Sequence, residues 1–356
     1  MVLGALFVAL GVATATAAQC AQNPRTGACV IKSGEYFIRL PERIAGPERT
    51  PIVMMLHDAG RDGTDLINDQ VLIDRLLGRG YAVIVPVAGK RKYVRVTTEG
   101  PLDGKFTSLG RISKSDRRYP MQRRDGTVVH LKQAQDRGWY FYDTDVHTRR
   151  DPLARHEEIV TQRLGRDETA FLRTVIRDAS LTFWLDADDV TLIGFGHGAA
   201  LAWQVACHDP DFAVFVAPVN GTIWGSVAPN CKVGAKILHT HERGSALWPL
   251  DGQEETRRQF GQFPVRQSIE HLAKANGCTL GQNAGTPGTE HQAWQNCLQL
   301  ASVELALLDT PFDFPDWWFQ AVLDRSDTGN PAGSAAANAS PLATPRFLKP
   351  KYPSAE

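Results

Sequence analysis

The sequence predicts an α/β fold with a mostly parallel, doubly wound sheet, and three observations lead to this prediction. Two continuous apolar runs, 51–56 and 81–85, flank a segment over 65–77 that has helical periodicity. A strand, a helix and a second strand in this order form a unit with two parallel strands. The same alternation continues through the second half of the chain, which is typical of sheets that helices cover on both faces.

The other elements follow from their own periodicity. A strand over 36–40 alternates in polarity after Ser33 and Gly34, and we expect it as an antiparallel edge. The second half predicts helix 167–184, strand 190–193, helix 199–207, strands 213–219 and 236–240, helix 265–275, strand 302–308 and helix 316–323.

Two segments do not fit this alternation. Residues 87–163 are turn-rich and longer than a sheet connection requires, and between 90 and 163 they carry 17 Lys and Arg against 10 Asp and Glu. We expect this insertion to lie over the carboxyl edge of the sheet. Residues 326–356 are rich in Pro, Ala and Ser, which predicts a disordered tail. The folded domain is therefore predicted over 19–325.

Composition bounds the function. The 356 residues include 39 Lys and Arg and 39 Asp and Glu, and 43% are hydrophobic. Such a chain can bury a substantial core, which excludes a wholly disordered, collagen-like or coiled-coil protein. The net charge of zero indicates no polyelectrolyte partner, and no recognised nucleic-acid module is present, so we expect no nucleic-acid binding.

The N-terminus and the cysteines indicate export. Residues 1–18 are uncharged and pass from an apolar run to small residues, which predicts a cleaved signal peptide and a secreted or periplasmic protein that is not an integral membrane protein. Six cysteines remain, an even number that suits disulfides. Their spacing favours Cys20–Cys29, Cys207–Cys231 and Cys278–Cys297. No CxxC or HExxH spacing occurs, so we expect no metal and no cofactor.

The most informative motif lies where strand 190–193 meets the following helix. Gly194, Gly196 and Gly198 have the spacing of a nucleophile elbow, a strained strand-to-helix turn that exposes a central serine in G-x-S-x-G. Here the central residue is Gly196.

Further segments accompany this motif in a fixed order. They are an opening Cys and Gly-x-Tyr strand (29–41), Leu-His-Asp-Ala-Gly (56–60), the helix 166–172 before the elbow, Ala-Cys…Pro-x-x-Phe (206–212) after it, a His-x-His loop (239–252) and a late cysteine pair (275–297). Together they resemble the secreted poly(3-hydroxybutyrate) depolymerases and feruloyl esterases of the α/β-hydrolase superfamily, over about residues 29–323. The resemblance implies an α/β-hydrolase fold and carboxylic-ester hydrolysis.

The resemblance also implies that the catalytic triad is degenerate. The family's serine falls on Gly196, its aspartate on Ser245 and its histidine on Phe312. None of these side chains can supply nucleophile, orienting acid or base, and loss of one triad member alone costs about 10⁴- to 10⁶-fold in rate. The family's oxyanion turn corresponds to His57, Asp58 and Gly60, with Asp58 where the family has glycine. A carboxylate there opposes developing negative charge.

Two alternatives would restore activity. His57, Asp58, His197, His241 and Glu242 all follow predicted strands, where α/β sheets place ligands, and could bind zinc. Against this, two of these histidines match family residues beside the active site, and another opens a helix. A displaced nucleophile, Ser226 or a free Cys231, is the second alternative, although Cys231 is expected to be oxidised.

A third interpretation is binding without chemistry. Trp139, Tyr140, Phe141 and Tyr142 supply stacking area in the basic insertion, and His197, His241, Glu242 and Trp139 are the candidate cleft residues. The ligand would be an ester, a polyester, or an aromatic or anionic molecule. Equally, these aromatic residues could simply pack the insertion onto the domain. The sequence thus predicts an esterase-like protein without triad chemistry, with an active esterase as the alternative.

Overall fold

The computed structural model describes residues 20–42, 49–58, 61–99, 121–122, 128–137, 139, 149–151, 158–160, 166–225, 230–252, 261–283 and 288–323. The predicted signal peptide (1–18) and tail (326–356) lie outside these residues, as do Gly60, Tyr140, Phe141, Tyr142 and Ser226.

The described residues form strands and helices in alternation. The strands are β1 (Cys29–Ile31), β2 (Gly34–Arg39), β3 (Thr50–Leu56), β4 (Ala82–Pro86), β5 (Lys90–Glu99), β6 (Met121–Gln122), β7 (Val128–Arg137), β8 (Arg149–Asp151), β9 (Glu158–Val160), β10 (Leu185–Phe195), β11 (Phe215–Val219), β12 (Trp224–Gly225), β13 (Lys236–Glu242), β14 (Gly261–Gln262), β15 (Thr279–Asn283), β16 (Thr289–Gln295) and β17 (Ser302–Leu308). The helices are α1 (Thr64–Ile67), α2 (Gln70–Leu77), α3 (Glu168–Phe183), α4 (His197–His208), α5 (Val265–Ala275) and α6 (Asp316–Leu323).

The main sheet has ten strands in the order β1-β2-β4-β3-β10-β11-β13-β17-β16-β15. The six strands from β4 to β17 in this order are parallel, and the two at each side are antiparallel. The parallel centre, the strand order and the strand-turn-helix after β10 are those of an α/β-hydrolase fold, which confirms the predicted fold class.

The sheet has a core on each face. On β3, Ile52, Met54 and Leu56 pack into one core with α3, α4 and α5, whereas Val53 and Met55 pack into the other with α2 and α6. All five side chains are fully buried. Continuous apolar runs therefore mark these strands, because both of their faces are covered by helices.

The structure refines several predicted elements. The predicted helix over 65–77 is two helices, because Asp69 caps α2 by accepting a hydrogen bond from the Leu72 amide (3.1 Å). The predicted edge strand over 36–40 is β2, which lies second in the sheet behind β1. Strands β15 and β16 were not predicted because they lack an apolar run, and none of their residues with described burial is buried.

The insertion contains a second sheet. Its five antiparallel strands lie in the order β6-β7-β5-β9-β8, and β5 pairs with β7 over ten residues. The prediction of a turn-rich insertion missed these strands because charged residues interrupt their apolar alternation. At Trp139 the insertion contacts the turn after β3, at the carboxyl edge of the main sheet.

The three disulfides are those predicted: Cys20–Cys29, Cys207–Cys231 and Cys278–Cys297. Cys20–Cys29 secures the N-terminal segment to β1, and Cys207–Cys231 joins the end of α4 to the loop before β13. In the part of the chain described, no helix is long and apolar enough to cross a membrane.

The disulfide pattern predicts the thiol content of the folded protein. Alkylation under native, non-reducing conditions should modify no cysteine, and non-reducing peptide mapping should recover three linked pairs with the connectivity above. Reduction before alkylation supplies the control, with six modified cysteines. Two or more modified cysteines in folded, unreduced protein would contradict the assignment.

Candidate functional site

The elbow keeps its backbone geometry without a nucleophile. Gly196 joins β10 to α4 with φ 52° and ψ −111°, a conformation that side chains other than glycine adopt only under strain. Its amide donates to the Val219 carbonyl (3.0 Å). The turn packs closely on β3, since a Cβ atom added at Gly198 would lie 2.3 Å from the Leu56 carbonyl oxygen. The strained turn of a nucleophile elbow is present, and Gly196 provides no attacking atom.

The Asp58 carboxylate fills the space in front of the elbow. Its Oδ1 accepts a hydrogen bond from the His197 amide at 2.7 Å. A Cβ atom added at Gly196 would lie between 2.4 and 2.6 Å from Oδ1, Cγ and Oδ2 of this carboxylate. His197 is the first residue of α4, so Asp58 caps this helix where its dipole favours negative charge. The carboxylate therefore occupies the places of both a serine side chain and a bound anion.

The preceding residue, His57, is fixed by its neighbours. The Ala88 amide donates to Nε2 (3.0 Å), so Nδ1 carries the proton and donates to the Asp58 carbonyl (2.8 Å). The Trp139 indole donates to the His57 carbonyl (2.8 Å), and the two rings lie 4.9 Å apart. His57 and Trp139 are each 1% exposed. Both residues thus position the Asp58 turn, and neither presents a free polar atom to a cleft in these contacts.

A carboxylate at the end of β13 holds the segment after β17. Glu242 Oε1 accepts hydrogen bonds from the Asn220 side-chain amide (3.0 Å) and the Phe312 backbone amide (3.1 Å). The Asn220 side-chain oxygen accepts in return from the Glu242 amide (2.9 Å). Asn220 is adjacent to Gly221, where an added Cβ atom would lie 1.8 Å from the Gly196 carbonyl oxygen. This series of contacts links the elbow to Phe312, so positions 196 and 312 border one region of the carboxyl edge.

The remaining triad-equivalent positions have structural contacts. Ser245 is half-buried, and its hydroxyl accepts from the Trp248 amide (3.3 Å). The Phe312 ring is buried against Phe314 and Trp318, with centroids 4.8 and 5.2 Å away. Glu242, rather than Ser245, is the residue whose side chain reaches the backbone of residue 312.

Two buried histidines form a directional hydrogen-bond chain beside the site. The Trp203 indole donates to His239 Nδ1 (3.2 Å), His239 Nε2 lies 3.2 Å from His241 Nδ1, and His241 Nε2 lies 2.8 Å from the Trp248 carbonyl. A carbonyl only accepts, so His241 donates through Nε2 and accepts through Nδ1 from His239. Both rings are neutral in this pattern. Burial lowers the pKa of His241 to about 4, and burial with the neighbouring imidazole lowers the pKa of His239 well below its ordinary value.

Aromatic side chains surround the side of the elbow that faces β12. The His197 ring packs against Trp224 and Trp248, with centroids 5.7 and 6.4 Å away, and the two tryptophans lie 6.1 Å apart. Trp224 is half-buried, while His197 and Trp248 are buried. The two indoles offer an uncharged, polarisable wall beside His197, whose amide binds the Asp58 carboxylate.

The alternatives proposed from the sequence are affected differently. Cys231 is in the predicted disulfide with Cys207, which excludes it as a free nucleophile. Ser226 lies outside the described residues. Among those described, no group of three His, Cys, Asp or Glu side chains is placed to hold a metal, and both ring nitrogens of His57 and of His241 are in hydrogen bonds.

Sequence reasoning missed four residues of this region: Asn220, Trp224, His239 and Trp248. Asn220 directly follows β11, so its place at a strand end could have identified it. His239 lies inside a strand, and the two tryptophans lie in or beside short irregular segments, so no spacing rule connected them with the elbow.

Comparisons with known proteins find likeness at the level of architecture. Similar solved structures include an acetyl xylan esterase from Aspergillus awamori (11% identity, TM-score 0.42, 77% of this chain and 86% of that one). Others are the Bacillus cereus carboxylesterase (12%, TM-score 0.36, 68% and 80%) and an S-formylglutathione hydrolase from Agrobacterium tumefaciens (10%, TM-score 0.36, 62% and 75%). No family model and no curated protein matches the chain. These likenesses are too low to transfer a catalytic residue or a substrate.

The buried histidine pair predicts loss of stability in mild acid. The unfolded chain binds protons to these imidazoles below about pH 6.5. In the folded chain the pKa of His241 is lowered to about 4 and that of His239 is well below its ordinary value, so the free energy of unfolding falls as pH falls below about 6.5. We expect a slope of about 1.4 kcal/mol per pH unit for each histidine. Urea unfolding between pH 7.5 and 4.5 measures it.

His239→Gln should flatten this slope, because glutamine can accept from Trp203 and donate to His241 without taking up a proton. His271→Gln, a change of the same type on α5, serves as the control and should retain the wild-type slope. Equal slopes in wild type and His239→Gln would show that the pair does not control acid stability.

The contact between Asp58 and Gly196 predicts a non-additive pair of substitutions. Gly196→Ser should destabilise the fold by about 2 kcal/mol or more, because the new side chain overlaps the carboxylate and the backbone is strained for serine. In the double variant with Asp58→Gly the loss should be smaller than the sum of the single losses, as measured by urea unfolding.

Gly244→Ser is the matched control for this pair. A Cβ atom added at Gly244 meets no other atom within 4 Å, so its effect should stay within about 0.5 kcal/mol. Strict additivity of Gly196→Ser and Asp58→Gly would contradict the placement of the carboxylate at the elbow.

Proposed function

We propose that this chain is a secreted homologue of the polyhydroxybutyrate depolymerases and feruloyl esterases that has lost triad-dependent ester hydrolysis and acts as a binding protein. The placement of the Asp58 carboxylate against Gly196 carries this proposal. This contact supports the proposal more strongly than the absence of a serine alone. The space that a tetrahedral intermediate would need is filled by a negatively charged group of the protein itself.

The chemistry of acyl transfer is opposed at each step by this arrangement. Attack on an ester carbonyl requires a nucleophile, and Gly196 has none. The oxyanion that forms must be stabilised by amide donors, yet the His197 amide already binds a carboxylate. Removal of a proton requires a base, and Phe312 contributes only an apolar ring to its cluster.

The same features favour an uncharged ligand at the carboxyl edge. The Asp58 carboxylate repels anions, while Trp224 and Trp248 supply aromatic surface beside His197. An ester or polyester segment, or a neutral aromatic ring, fits this combination better than an anionic ligand does. The three disulfides are typical of an extracellular or periplasmic protein and support the proposed export.

The proposal predicts that purified protein does not hydrolyse esters. Short-chain p-nitrophenyl esters and hydroxybutyrate oligomers should turn over at the buffer rate, and a fluorophosphonate that labels active serines should leave the protein unmodified. Heat-denatured protein is the control for background hydrolysis. Turnover well above background that is lost on Ser226→Ala would support an active esterase with a displaced nucleophile and overturn the proposal.

The elbow geometry further predicts that a few substitutions can give the protein acylation activity. The variant Gly196→Ser, Asp58→Gly, Phe312→His should give a burst of one product equivalent per protein, because Glu242 already reaches residue 312 and can orient the new imidazole. Adding Ser245→Asp tests the family alignment of that position against Glu242.

Loss of the burst on Glu242→Gln, with no effect of Ser245→Asp, is expected if Glu242 serves as the orienting acid. The converse result would assign that role to position 245. A folded triple and quadruple variant without any burst would contradict the assignment of positions 196 and 312 to one site.

A further inference from the structure

An open cavity lies at the edge of the main sheet opposite to the elbow edge. It has a volume of about 600 Å³ and is lined by one face of α3, the segment before β3, the start of β10, the loop before β11 and the start of β13. The parallel strands begin at this edge and end at the elbow edge. The cavity is therefore separate from the carboxyl-edge site.

Positive charge dominates the polar lining of this amino-edge cavity. Arg49, Arg177 and Lys236 line it and are exposed, and none of the three forms an ion pair with a described carboxylate. A fourth lining cation, Arg173, is neutralised by Asp209 through two hydrogen bonds of 2.6 and 2.8 Å.

Two carboxylates, Asp188 and Asp211, also line the cavity and offset part of this charge. Three unpaired cations against two carboxylates leave a net positive lining. Arg177 is on α3 and Lys236 opens β13, so the helix and the sheet present cations to the cavity from different sides.

A buried hydroxyl marks the inner wall. Ser180 lines the cavity, is only 8% exposed, and its Oγ has no hydrogen-bond partner among the described residues. Buried polar atoms are nearly always paired in folded proteins. Ser180 therefore marks the most deeply buried polar position of the lining.

The rest of the wall is apolar and extends to the surface. Ile176 and Phe212 are buried, whereas Leu181 and Val214 are 78% and 39% exposed at the mouth. Beside them Trp184, 55% exposed, ends α3 in a left-handed conformation (φ 60°), and the Arg49 guanidinium lies 4.9 Å from the centre of its ring. A positive φ is energetically unfavourable for a bulky residue, so the surrounding structure holds this indole at the rim against the backbone preference of tryptophan.

We propose that the amino-edge cavity binds a small organic carboxylate with an apolar body. Guanidinium groups match the planar, bidentate geometry of a carboxylate. The apolar wall accommodates a ring or a short chain, and the volume is that of a site for one small molecule. This site is independent of the ligand proposed at the elbow, which is uncharged.

Isothermal titration calorimetry on the full chain with 2-naphthoate tests the proposal, with 2-naphthamide as its neutral counterpart. The acid should bind about tenfold more tightly than the amide, since charge-assisted hydrogen bonds contribute only to the acid. Arg177→Gln with Lys236→Gln should weaken binding of the acid about tenfold and leave the weak binding of the amide unchanged.

The matched control is Arg25→Gln with Lys32→Gln, which removes the same two charges from exposed positions near β1. It should leave the affinity unchanged. Val214→Glu places a carboxylate at the mouth of the cavity and is a second test at a partly exposed position. It should weaken binding of 2-naphthoate and leave binding of 2-naphthamide unchanged. Equal affinity for acid and amide, equal losses in the test and control variants, or no binding of 2-naphthoate would overturn the proposal.

Discussion

The hydrogen bond from the His197 amide to the Asp58 carboxylate determines what the carboxyl edge of the sheet can do. It joins the turn after β3 to the first residue of α4 and satisfies a helix-terminal amide that has no partner within the helix. The turn that carries Asp58 is itself held by His57 and Trp139. The negative charge at the elbow is therefore a fixed part of the fold, supported from the strand and from the insertion.

The polar groups around this contact are joined by further hydrogen bonds. Glu242 accepts hydrogen bonds from Asn220 and from the backbone of Phe312. The two histidines of β13 form a chain of hydrogen bonds that runs from the Trp203 indole to the Trp248 carbonyl. Groups of the type used in hydrolysis are present, but each is engaged in holding strand ends and loops together.

The sequence predicted the parallel centre of the sheet well, because strands covered on both faces are read as apolar runs. It predicted poorly where a strand lacks an apolar run, as in β15 and β16, or where charges interrupt a strand, as in β5. From the sequence, Asp58 was expected to oppose an oxyanion. That its carboxylate lies where a side chain at position 196 would lie could not be predicted, because the two turns are 138 residues apart in the chain. The link from Glu242 to residue 312 likewise depends on strand neighbours.

The conformation of Gly196 and its contact with Asp58 limit which residues can replace it. Its backbone conformation costs a residue with a side chain about 1 to 3 kcal/mol, and Asp58 adds an overlap with any Cβ atom. A lineage that acquired serine at this position first would carry a less stable protein. The order of mutations is thus constrained, with position 58 changing before position 196. The present pair of residues therefore makes a serine at position 196 less accessible than substitutions at unconstrained surface positions.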